Sequence, residues 1–118
     1  MKLYDIFKGE DLAIAEKIQQ RRLQMIIHSC IYYTMNDSIV TDHQWAEWAH
    51  ELVYLQTRYP EIANRVPLGE YFDKDWDGST GMDLPITADW VVGIAKKLLE
   101  IRDRKGGRRY ESSGNVEG

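Results

Sequence analysis

Apolar residues in the first half of the chain recur at Leu12, Ala15, Ile18, Leu23, Ile26, Ile27, Cys30 and Ile31, a spacing that puts them on one face of a helix over about six turns. Gly9 breaks the pattern before this run, after a short helical or irregular start at Leu3 to Phe7. The turn formers Asn36, Asp37 and Ser38 stop it, so the spacing predicts a helix from about Asp11 to Met35, with Asp11 at the positive end of its dipole. A second stripe follows at Trp45, Trp48, Ala49, Leu52, Leu55 and Tyr59 and closes before Pro60. Thr41 and Gln44 at its start match a capping box, in which the hydroxyl takes one free backbone N–H and the glutamine side chain returns to another. Only a few residues separate the two stripes, and short connectors make antiparallel neighbours, so the two helices form a hairpin over about 11–59.

The stretch from Glu61 to Pro85 mixes Pro67, Gly69, Gly78 and Gly81 with acids and with Tyr71, Phe72 and Trp76. It reads as an ordered aromatic and acidic loop, with one helical turn at Glu61 to Asn64. Thr87 then caps a third long helix, about 88–104, whose apolar face is Trp90, Val91, Ile94, Leu98 and Ile101. The tail from Gly106, GGRRYESSGNVEG, has too little apolar content to pack and is expected to be disordered. The pattern as a whole predicts an all-α protein, with a single helical domain over 1–105 built on an antiparallel hairpin, a third long helix and the loop between them, and a disordered tail at 106–118.

Composition narrows the function classes. At 118 residues the chain can bury one core without metals or disulfides. Its single cysteine, Cys30, excludes an internal disulfide framework and fits a reducing cytoplasm. The N-terminus MKLYDIFKGEDL has no long apolar run, and no stretch is apolar over the ~18 residues a membrane span needs, so a membrane partner is not expected. A net charge of −4 argues against general nucleic-acid binding, because phosphate neutralisation by Lys and Arg supplies most of that affinity. Charge is uneven, with Glu70, Asp73, Asp75, Asp77 and Asp83 in the middle and Lys96, Lys97, Arg102, Arg104, Lys105, Arg108 and Arg109 towards the end.

The chemistry concentrates at the hairpin mouth. Tyr32 and Tyr33 end one predicted helix and Asp42 and Trp45 begin the next, so these four can face one another across the connector, and His28, one turn before Tyr32, could add a hydrogen bond or a charge. Flat aromatic faces there could sandwich a ring, and the free N–H groups at the start of the second helix could receive a phosphate. The same residues also fit a purely structural arrangement, in which Tyr32 and Trp45 lock the hairpin by packing on each other and Asp42 sits on the helix dipole. The segment Asp73 to Gly78 has the carboxylates and glycine of the first half of a calcium loop, but Leu84 stands where a bidentate Glu is needed, so no metal is expected. Neither His43 with His50 nor Ser112 with Ser113 has the partners for zinc binding or nucleophilic catalysis. The loop aromatics Tyr71, Phe72 and Trp76 are candidate anchors for a protein partner.

The mouth also resembles domain Ia, the N-terminal lid of NAD-dependent bacterial DNA ligases. That family carries Tyr, then His or Tyr, eight residues, Asp, two residues, Tyr, Asp. This chain has Tyr32, Tyr33, eight residues, Asp42, His43, Gln44, Trp45 and Ala46, with Trp45 in place of the tyrosine and Ala46 in place of the final aspartate. The resemblance covers about a third of the chain. It implies a binding lid without a nucleophile, which takes nicotinamide mononucleotide (NMN) or NAD through Tyr32, Tyr33, Asp42, Trp45 and His28, or which docks on a protein. Lys74 is out of register for the family's nucleophile motif, so self-adenylation is not implied. Small free-standing proteins of this kind look like phage or prophage products. The alternative expectation is therefore an accessory protein in the host cytoplasm that inhibits or modulates a host ligase or defence protein, with no nucleotide site.

Overall fold

The computed structural model describes residues 2–73 and 76–106. The protein is all-α: among these residues there are helices α1 (Leu3–Ile6), α2 (Gly9–Tyr33), α3 (Asp42–Arg58), α4 (Pro60–Ala63) and α5 (Asp89–Gly106), a 3-10 turn at Gly69–Tyr71, and no strand. Helix α2 is the axis of the molecule and contacts each of the other four. That explains why its burial spreads beyond one face: Met25, Ile26, Ile27, Ser29, Cys30 and Ile31 are all buried. A helix enclosed on several sides cannot be a simple amphipathic stripe.

The hairpin is antiparallel. Going up α2 from Arg21 and Arg22 to His28, the partners on α3 fall from Glu51 and Gln56 to Trp48. Ala49 and Leu52 of α3 are fully buried, and Trp45, Trp48 and Leu55 pack half-buried on the same core, so the predicted stripe is the one that faces α2. Burying a side chain such as Leu52 or Ile31 stabilises by roughly 1.5–3 kcal/mol each, and this sets the register of the pair. The Thr41 hydroxyl accepts from the Gln44 N–H at 3.0 Å and caps α3. Among the described residues the expected return bond from the Gln44 side chain is not formed, so one half of the capping box carries the start. Asn36, at φ 54°, turns the chain out of α2, and the Asp37 N–H closes back on the Ile31 carbonyl at 3.0 Å.

Two expectations change. Helix α5 begins at Asp89, and the Ala88 carbonyl accepts from the Val92 N–H, so Ala88 and not Thr87 is its N-cap. Its buried face is Val91 and Ala95, with Leu98 and Leu99 half-buried, whereas Trp90, Ile94 and Ile101 are exposed. The predicted face was rotated because the large apolar residues outweigh a small one such as Ala95, yet only the small residue fits where two helices approach closely. The predicted helical turn at Glu61 to Asn64 exists as α4, with Pro60 at its first position, where a missing N–H costs nothing. Gly106, the first residue of the tail expected to be disordered at 106–118, is instead the last residue of α5; the rest of that expectation lies outside the described residues, as do Lys74 and Asp75 of the acidic loop.

The least anticipated core residue is Arg22. The residue is 2% exposed; its Nε donates to Gln56 Oε1 of α3 (2.9 Å), and its other nitrogens reach the 60–72 segment, Nη1 donating to the carbonyls of Val66 (2.9 Å) and Pro67 (3.2 Å) and Nη2 to that of Ala63 (3.2 Å). The guanidinium also lies 6.0 Å from the Phe72 ring centre. Burial pulls its pKa down to about 10, partly opposed by the charge of Glu70. The carbonyls it meets lie between the end of α4 and Leu68, which is held at φ 77°. A leucine in the left-handed region is strained, and the clamp on Val66 and Pro67 holds the chain there. Arg22→Met leaves the carbonyls of Val66 and Pro67 unsatisfied and is expected to cost about 3 kcal/mol or more. Arg22→Lys, with no planar fork, recovers only a minor part of that loss. Denaturant melts of the two variants against the parent protein measure both.

Candidate binding site

Three chain segments enclose a cavity of about 430 Å³ at the open end of the hairpin. The last turns of α2 supply His28, Ser29, Tyr32 and Tyr33. The connector and the first turns of α3 supply Ser38 to Asp42, then Trp45 and Ala46. The third wall is Gly78, Ser79 and Thr80, from the far side of the acidic loop. All five residues singled out at the mouth, His28, Tyr32, Tyr33, Asp42 and Trp45, thus line one cavity. The third wall was not foreseen.

The geometry separates the two arrangements that the pattern allowed. Tyr32 does not lock the hairpin: its ring is 56% exposed and meets Tyr33 edge-on, with centres 4.9 Å apart at 87°. Tyr33 reaches across the mouth, its hydroxyl 3.2 Å from Thr80 Oγ1. On the inner side, the His28 ring lies 5.5 Å from that of Trp48, over which Arg21 is placed at 5.5 Å. Arg21 in turn pairs with Glu51, so its charge is committed to the helix interface. His28 Nδ1 and Ser29 Oγ are buried with no hydrogen-bond partner among the described residues. Burial holds the His28 imidazole below its ordinary 6.5, so it is uncharged at neutral pH.

The loop aromatics have a different role from the one expected. Phe72 is 3% exposed and is a core residue, so it cannot anchor a partner. Trp76 is half-buried, sits edge-on to Phe72 at 4.9 Å, and donates from Nε1 to the Thr80 carbonyl at 3.1 Å. Of the three, only Tyr71 keeps an exposed ring. The line Phe72, Trp76, Thr80 therefore ties the third wall to the core. Asp77 accepts from the Ser79 N–H at 2.9 Å, an Asx turn that shapes the same wall. Gly78 takes φ 83°, a conformation that disfavours side chains. Gly81 rests directly on α2: a Cβ there would lie 1.9 Å from Ser29 Oγ and 3.3 Å from Trp45 Cζ2. Glycines flanking a serine and a threonine are the one sequence cue to this wall.

The site offers ring faces, hydroxyls and a carboxylate, and it offers no activated nucleophile. Cys30 is buried behind it and burial pushes its thiol pKa up, so it stays protonated. No group of three or more metal-ligating side chains occurs among the described residues, and no described helix is long and apolar enough to cross a membrane.

Gly81→Ala should cost about 1–3 kcal/mol through the clash with Ser29, and Ser29→Ala should restore only part of it, because the Ser29 Cβ remains in the way; thermal melts of the single and double variants test this. His28 binds fewer protons folded than unfolded, so its contribution makes the protein lose stability as pH falls through 6.5 and below. A His28→Gln variant should show a flatter decline in melting temperature between about pH 7.5 and 5.5 than the parent.

Comparison with protein-family models, with curated proteins and with solved structures finds no match to this chain, so its function has to be argued from the cavity itself.

Proposed function

We propose that the protein is a non-catalytic binding module whose hairpin mouth holds the nicotinamide riboside end of NMN or NAD. The observation that carries this reading is the convergence of His28, Tyr32, Tyr33, Asp42 and Trp45 on one cavity of about 430 Å³. That is within the ~300–1,000 Å³ of ordinary small-molecule sites. The faces of Tyr32 and Trp45 can flank a flat ring. The hydroxyls of Ser38, Thr41, Ser79 and Thr80 match the hydrogen-bonding groups of an amide and a ribose. Behind this lining, His28 Nδ1 and Ser29 Oγ are buried without a partner among the described residues, polar atoms that the packing itself does not use.

A second reading, docking on a host protein as a phage or prophage accessory factor, draws support from other surfaces. Tyr54, Trp90 and Ile94 are 60%, 42% and 40% exposed, and none of them lines the cavity. Exposed aromatics are the residue types that anchor interfaces.

Calorimetric titration with NMN tests the first reading. Binding with a dissociation constant below about 1 mM, equivalent to roughly 4 kcal/mol, is expected, with loss of at least about tenfold in Tyr32→Ala. Because the Tyr32 ring is exposed, that variant should melt close to the parent protein. No heat at millimolar NMN from the folded parent protein would refute nucleotide binding and leave the docking reading.

A further inference from the structure

The charge of the cavity wall points to a selectivity that its shape alone does not. Fourteen residues line the cavity, and none is Lys or Arg; Asp42 is the one charged side chain among them, and His28 is held neutral by burial. The positive end of α3 opens on the same space, which brings roughly +0.5 of an elementary charge. The Asp42 carboxylate stands at the first position of that helix and outweighs it, and the negative end of α2, at Tyr33, faces the same space, so the mouth is net negative. Arg102 donates to the Ser38 carbonyl at the rim (3.0 Å) but is paired with both Asp37 and Asp103, so it adds no unbalanced positive charge. Tyr32, Tyr33 and Trp45 line the same space, and the face of an aromatic ring carries the negative side of its quadrupole.

We infer that the mouth selects a planar organic cation bearing hydroxyl groups, and that a phosphate on the ligand opposes its binding. A phosphate carries about −1.5 to −2 charges and is normally met by Arg or Lys. Here it would meet a carboxylate and two first-turn amides, those of Asp42 and His43, because the Gln44 and Trp45 amides already bond to Thr41. A cation over an aromatic face beside a carboxylate gains from both. The inference rests on the nicotinamide reading above and adds a ligand class to it: the positively charged pyridinium form is preferred to the uncharged reduced form, and the nucleoside to the nucleotide.

The test is parallel titration of the full-length protein with nicotinamide riboside, with its 1,4-dihydro form, which has the same size and no ring charge, and with NMN. Nicotinamide riboside should bind about five- to tenfold more tightly than each of the others. In Asp42→Asn its advantage over the dihydro form should shrink towards one, and Asp42→Glu should restore it. Equal affinity for the charged and uncharged rings, or NMN binding as tightly as the riboside, would overturn the charge selectivity while leaving the nicotinamide reading in place. Binding by none of the three would overturn both.

Discussion

The clamp of Arg22 on the carbonyls of Ala63, Val66 and Pro67 is the contact on which the rest of the architecture depends. A guanidinium taken out of water costs several kcal/mol unless its donors are met, and here they are met by Gln56 and by the backbone that follows α4. The exchange works in both directions. The carbonyls make the buried charge tolerable, and the charge holds the chain through the strained Leu68 into the turn that brings Phe72 to the core. Gln56, which accepts from Arg22, donates in turn to the Phe72 carbonyl at 3.3 Å and extends the clamp across α3. The position of Phe72 governs Trp76, and Trp76 governs Thr80. The third wall of the cavity is thus set by an arginine that does not line it.

Most of the helical framework could be read from the sequence, because it follows from local rules. Stripes at three- and four-residue spacing, the Thr41 cap and the break at Pro60 placed α2 and α3 to within about two residues. The readings that failed depend on tertiary contacts. Arg22 interrupts no pattern and would be assigned to the surface by composition alone. The face of α5 turned out to be Val91 and Ala95, because closeness to α2 rewards small side chains there more than large ones.

The candidate site divides in the same way. Its two helical walls were legible because Tyr32, Tyr33, Asp42 and Trp45 lie at the facing ends of a short hairpin, where proximity along the chain ensures proximity in space. Ser79 and Thr80 lie more than thirty residues further on, and their place follows only from Trp76 docking on Phe72 and from Gly81 lying flat on Ser29. The loop aromatics looked like a contact surface because large apolar side chains among acids suggest exposure. The burial of Phe72 and Trp76 converts these two from partner anchors into supports for the cavity.

The two unpaired polar atoms, His28 Nδ1 and Ser29 Oγ, give the molecule an evolutionary weakness. Each buried group without a partner costs the folded state about 1–3 kcal/mol that an apolar atom of similar shape would not. Natural proteins sit close above the stability they need, so substitutions that relieve such a cost are readily accepted once nothing opposes them. On the proposed binding reading, a lineage that stopped using the cavity would lose the Ser29 hydroxyl and the polar edge of His28 early, well before the tyrosines at the entrance, whose exposed rings cost the fold little. The order in which these positions drift among descendants would record how long the cavity stayed in use.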